Sequence, residues 1–190
     1  MVPSWVAARV DADEWEPITG GYTKTPKWRA RRRDGTTVFV KAGQLRSLEA
    51  ELVVYRDVRA PLVPVVHDLW DDDERVVLVL EDLSRAEWPP PYPEDVGPLF
   101  AALDAAAALP APELPPLSDR ELSSWGQIAK DPEPLLALGV CTERWLTRAL
   151  PVLAGAEATV PATGKQLVHN DIWTDNLCFT DRGVVLVDWA

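Results

Sequence analysis

Near the end of the chain, the eight residues His169-Asn170-Asp171-Ile172-Trp173-Thr174-Asp175-Asn176 combine an acid, an amide and an imidazole at fixed spacing. Asp188 follows, closing the apolar run Val184-Val185-Leu186-Val187. The pattern H-x-D-x-x-x-x-N and then D suits phosphoryl transfer. That reaction asks little covalent work of a protein: phosphate charge must be neutralised, metal ions held by oxygen ligands, and a hydroxyl aimed in line. Mg²⁺ prefers carboxylate, amide and water oxygens, and Asn176 and Asp188 offer two such ligands at the edges of predicted strands. Asp171 is left to orient an acceptor hydroxyl and take its proton. His169 reads as a hydrogen-bonding anchor of the loop, not as an acid or base.

Each of these residues has a plainer meaning alone. An Asp at a strand end often forms a turn, and an Asn before a strand is often a cap. Their order along the chain favours chemistry, and that order begins upstream. Lys27 to Arg33 and Thr36 to Ala42 read as strands around the hairpin signal Asp34-Gly35. Within the second of these, Lys41 lies on the sheet face opposite Val38 and Val40. Gln44 to Arg59 turns helical, with Leu45, Leu48, Leu52, Tyr55 and Val58 at steps of three or four. Glu51 falls inside that apolar stripe and Glu49 outside it. An inward carboxylate needs a partner, and Lys41 is the candidate. Gly20-Gly21-Tyr22-Thr23, just before the hairpin, could form a turn close to a ligand.

Two more strands are expected, Val63 to Trp70 and Arg75 to Glu81, joined by the acidic turn at Asp71-Asp72-Asp73. Pro89 to Pro93 then breaks the pattern stiffly. Helices are expected over Glu94 to Leu109, Ser118 to Lys130 (Ser118 as cap, Glu121 three residues on) and Thr142 to about Ala154, where Pro151 implies a kink or early stop. Short strands follow near Gln166 to Val168, Leu177 to Thr180 and Val184 to Val187. His67 reads as structural.

The 190 residues are 47% hydrophobic and 26% charged, the balance of a globular chain. No apolar run approaches a membrane span, and the N-terminus lacks the basic start and apolar core of a signal peptide. Two lone cysteines, Cys141 and Cys178, fit no metal or disulfide framework, so a cytoplasmic location is expected. A net charge of −11 argues against nucleic acid as partner. It would suit a cationic small substrate, and it equally serves solubility.

Taken together, the Gly20-Gly21-Tyr22-Thr23 turn, Val38-Phe39-Val40-Lys41, Glu51 to Tyr55, and Val168-His169-Asn170-Asp171 resemble segments of the aminoglycoside phosphotransferase and choline kinase family. Where that family often has glycine between histidine and aspartate, Asn170 stands. The resemblance implies an α+β, bilobal, protein-kinase-like fold whose N-lobe is an antiparallel sheet plus one helix, with a partly helical C-lobe. Residues 1–83 would form the nucleotide-binding lobe, 84–93 the hinge and 94–190 a partial catalytic lobe. The resemblance further implies ATP and Mg²⁺ as cofactors. Lys41 would contact the α- and β-phosphates and pair with Glu51. Gly20 and Gly21 would cover the phosphates, and main-chain groups from Glu81 to Leu83 would hold the adenine. Asp171 would act on the hydroxyl of a small molecule, with Asn176 and Asp188 on the metal.

The sequence stops two residues after Asp188, so an incomplete C-lobe and a marginally stable chain are expected. A catalytically impaired nucleotide-binding or interaction protein is the competing expectation, and a protein kinase ranks behind both because no activation segment follows Asp188.

Overall fold

The computed structural model describes residues 1–19, 24–89, 95–114, 124–159 and 164–189. They fall into two compact units, one of residues 1–114 with 166–190 and one of 115–165. The class is α+β, and an antiparallel sheet with one helix fills the N-terminal part, as the sequence implies.

In the first unit, a short helix α1 (Ser4–Ala7) precedes β1 (Ala12–Pro17), β2 (Lys27–Arg32) and β3 (Thr37–Gln44). Helix α2 (Leu45–Asp57) leads to β4 (Val66–Asp71) and β5 (Arg75–Glu81), giving sheet order β1-β2-β3-β5-β4, antiparallel throughout. The β2–β3 turn uses Gly35 at φ +85°, while the Asp34 carboxylate accepts from the Thr36 amide at 2.8 Å. Only glycine takes that backbone without a Cβ penalty.

Strand β5 explains its own unbroken apolar run. Val76, Leu78 and Leu80 face one core cluster with Leu48, Leu52 and Tyr55 of α2. Val77 and Val79 face a second cluster with Val6, Trp28, Ala30, Val38 and Val40. A strand covered on both faces needs apolar residues at every position. Against the second cluster, the Trp5 and Trp70 rings pack at a 45° tilt with centroids 6.2 Å apart, and Arg9 lies over the Trp70 ring at 4.2 Å.

Helix α3 (Gly97–Ala107) and the hairpin of β6 (Leu177–Thr180) and β7 (Gly183–Leu186) complete this unit. The hairpin is stitched to the N-terminal part through main-chain groups. Glu87 and Phe179 exchange two hydrogen bonds at 3.1 and 2.8 Å, and the Leu186 amide donates to the Leu62 carbonyl at 2.8 Å. In the second unit, α4 (Ser124–Ile128), α5 (Glu133–Ala137) and α6 (Glu143–Thr159) follow one another. Glu157 of α6 accepts from the Trp125 and Gly126 amides at 3.0 and 2.7 Å, satisfying donors at the start of α4.

Some sequence expectations need correction. No strand forms over Gln166 to Val168; Gln166 makes a single bridge to Pro110, and Val168 is exposed while Leu167 is buried. Helix α6 continues past Pro151 to Thr159. Ser118 and Glu121 lie outside the described residues. Helices α1 and α5 were not expected: four and five residues are too short to show a period. Among the described residues no helix is long and apolar enough to cross a membrane.

The two cysteines differ in a way that can be measured. Cys178 is fully buried on β6, and burial pushes its thiol up to about 11, whereas Cys141 is partly exposed. In the native protein a thiol reagent should therefore label one cysteine quickly and the second only after denaturant is added. Rapid labelling of both would contradict this packing.

Candidate active site

One cleft of about 450 Å³ gathers most of the residues singled out by sequence, a size ordinary for a small-molecule site. Lys41, Glu51, Glu81, Leu83, Asp171, Asn176 and Asp188 all line it. Gly20 and Gly21 lie outside the described residues.

The alternation of β3 puts Val38 and Val40 in the outer core, so Lys41 emerges on the cleft side beneath α2. There the residue is 4% exposed, and its ammonium forms ion pairs with both Glu51 and Asp188. Burial alone would lower the Lys41 pKa, but the two carboxylates outweigh it and the net shift is upward. Glu51 is itself buried on α2, and this burial, ahead of the opposing pull of Lys41, pushes its carboxyl up to about 7. Asp188 moves the other way. Burial would raise it, but Lys41 holds it below the ordinary carboxylate range, with Lys27 adding to the effect.

The motif loop is held by main-chain contacts. His169 is buried, and its Nε2–H donates to the Val187 carbonyl at 2.9 Å. Its ring sits 4.5 Å from that of Trp189, and burial holds its pKa below the ordinary value, so the ring is neutral at pH 7. His169 Nδ1 is buried without a hydrogen-bond partner among the described residues. The Asn176 side-chain amide donates to the Asp171 carbonyl at 3.0 Å and to its carboxylate at 3.1 Å. The Val187 amide donates to the Asn176 carbonyl at 2.9 Å, so the strand leading to Asp188 is tied to the loop carrying Asp171.

Backbone strain is concentrated here. Among the described residues, the non-glycine positions with positive φ are Asn170 at +65° and Asp188 at +63°. Asn and Asp tolerate this left-handed conformation best after glycine. That accounts for Asn170 standing where the resembling family often has glycine.

Several cleft residues carried no signal of their own in the sequence. Tyr55 reads as one more core position of the α2 stripe, yet its phenol oxygen accepts from the Asp188 amide at 3.3 Å. Trp88 donates its indole N–H to the Leu83 carbonyl at 3.2 Å, which the Ala86 amide also reaches at 3.0 Å. The Glu81 carboxylate is held by the Arg182 guanidinium, with Nη1 at 3.0 Å from Oε2, and by the Val65 amide at 2.7 Å. Lys27, Arg29, Trp173 and Asp175 complete the polar and aromatic rim.

The donor set suits a hard cation. With the Asn176 amide nitrogen engaged by Asp171, its carbonyl oxygen is left for a metal, and Asp188 contributes a carboxylate from the same cleft. Among the described residues, no three His, Cys, Asp or Glu side chains gather as a complete metal site.

Comparison with known proteins places residues 14–190 in the phosphotransferase enzyme family. No curated protein matches the chain. A solved structure described as the crystal structure of Rad53 1-466 in complex with AMP-PNP aligns over 93% of this chain at 19% identity and a TM-score of 0.39. The chain spans 38% of the length of that solved chain.

Two outcomes follow from this geometry. Asn170 is exposed, so Asn170→Gly should leave unfolding free energy within about 1 kcal/mol of the parent, while Asn170→Val should lose roughly 1–3 kcal/mol in denaturant titrations. Equal stability of the two variants would remove the strain argument. The second outcome concerns pH. Native Glu51 keeps a proton that the unfolded chain releases near the ordinary 4.5, so its contribution is complete below that pH and declines as pH rises toward about 7. Glu51→Gln should flatten that decline; an unchanged slope across the window would assign it to another group.

Proposed function

The chain belongs to the phosphotransferase enzyme family, and from that premise we propose that it transfers the terminal phosphoryl group of ATP to a hydroxyl of a small molecule. The observation that supports this reading is the convergence on one cleft of the Lys41–Glu51–Asp188 ion cluster and the Asp171–Asn176 hydrogen bond. Lobes of residues 1–83 and 94–190 joined through 84–93 belong to the same reading. So does an aminoglycoside- or choline-like acceptor, a cation that would suit the acidic chain.

In this reading Lys41 neutralises charge on the α- and β-phosphates, and Glu51 keeps its ammonium directed into the cleft. Main-chain groups from Glu81 to Leu83 hold the base. Asn176 and Asp188 would hold Mg²⁺, which when bound would supply positive charge against the phosphates. Asp171 is exposed at the cleft and fixed by Asn176. It accepts the proton of the acceptor hydroxyl as that oxygen bonds to phosphorus and the bridging oxygen leaves with ADP.

Turnover should be measured with Mg²⁺ and ATP over a panel of amino-alcohol and sugar hydroxyls. Asp171→Asn should lower kcat on the order of 10²- to 10⁴-fold while nucleotide affinity is retained. An undiminished rate would remove Asp171 from the mechanism. Nucleotide binding by the parent chain, with no turnover on any acceptor, would favour the non-catalytic nucleotide-binding reading.

A further inference from the structure

We propose that Lys27 is a second phosphate-binding cation of the cleft, acting on the nucleotide beside Lys41. The inference rests on the phosphotransferase reading and extends it to a residue that neither the motif nor the family resemblance singles out.

The register of β2 against β3 places Lys27 directly opposite Lys41, and Arg29 opposite Phe39. Residues facing each other across an antiparallel pair project to the same side of the sheet, and all four line the cleft. Like charges set directly opposite destabilise a strand pair, so this arrangement is costly unless anions lie between or beside them. For Lys41 the anions are Glu51 and Asp188. Arg29 is engaged by Glu16 at 2.9 Å and by Asp82 at 3.1 Å. Lys27 makes no ion pair among the described residues, although it is half-buried at the cleft wall.

Lys27, Arg29 and Lys41 share one face of β2 and β3, where Glu51, Glu81 and Asp82 also line the cleft, and Asp171, Asp175 and Asp188 line it from the motif and hairpin. Arg29 and Lys41 are already matched by carboxylates, so among the described residues Lys27 is the cation of this face left for an incoming anion. A lysine is well matched to this task, because its flexible stem carries a compact point charge that can follow a phosphate group.

Equilibrium binding of adenosine, AMP, ADP and ATP, without added metal, tests this on the full 190-residue chain. Lys27→Met should weaken ADP and ATP on the order of tenfold while changing adenosine less than about twofold. Lys27→Arg should restore most of the loss. Adenosine serves as the internal control for folding, since a misfolded variant loses it too; should Lys27→Met fail that control, Lys27→Gln replaces it. ATP bound equally by parent and variant would overturn the proposal alone. So would an equal loss for adenosine and ATP in a variant whose melting matches the parent. A parent chain that binds none of the four, with Mg²⁺ added as well as without it, would overturn both this inference and the phosphotransferase reading.

Discussion

A single ammonium group organises this cleft. Lys41 is withdrawn from water on β3, and a buried cation persists only where opposite charge offsets its lost hydration. Asp188, in the residue pair following β7, provides that charge, and Glu51 of α2 adds to it as its raised carboxyl ionises, so three segments are drawn to one point, Asp188 lying 147 positions from Lys41 in sequence. Deleting one partner of such a buried cluster typically costs about 3–5 kcal/mol, because a charge is then stranded.

Around that centre, precision comes mainly from the backbone. Asp188 reaches Lys41 because Val187 is pinned twice, its amide to Asn176 and its carbonyl to the His169 ring. Asp171 is placed by its amide donating to the His169 carbonyl at 2.9 Å and by the side chain of Asn176. The histidine of the motif therefore bridges the loop and the strand that carry the two acids. A neutral ring suits this, since an imidazolium at a buried site would add an uncompensated charge.

Much of this was legible in local pattern. The Asp34-Gly35 hairpin, the alternation that turns Lys41 away from Val38 and Val40, and the helical stripe that turns Glu51 inward are short-range properties. Each appears where expected. What the pattern could not show is long-range. Nothing near Tyr55 marks its phenol as a partner of Asp188, and nothing near Lys27 marks Lys41 as its neighbour until strand register is known. The same limit explains the segment at Gln166 to Val168. Its residues suit a strand, but among the described residues it pairs only through the single bridge to Pro110.

The left-handed turn at position 188 carries a penalty for evolution as well as for packing. Any replacement must tolerate φ near +63° and also retain an anionic oxygen within reach of Lys41. Glycine and asparagine meet the first demand and forfeit the charge. Glutamate keeps the charge and meets the backbone poorly. Aspartate meets both demands at the least cost, so a substitution here trades away either the backbone turn or the charge.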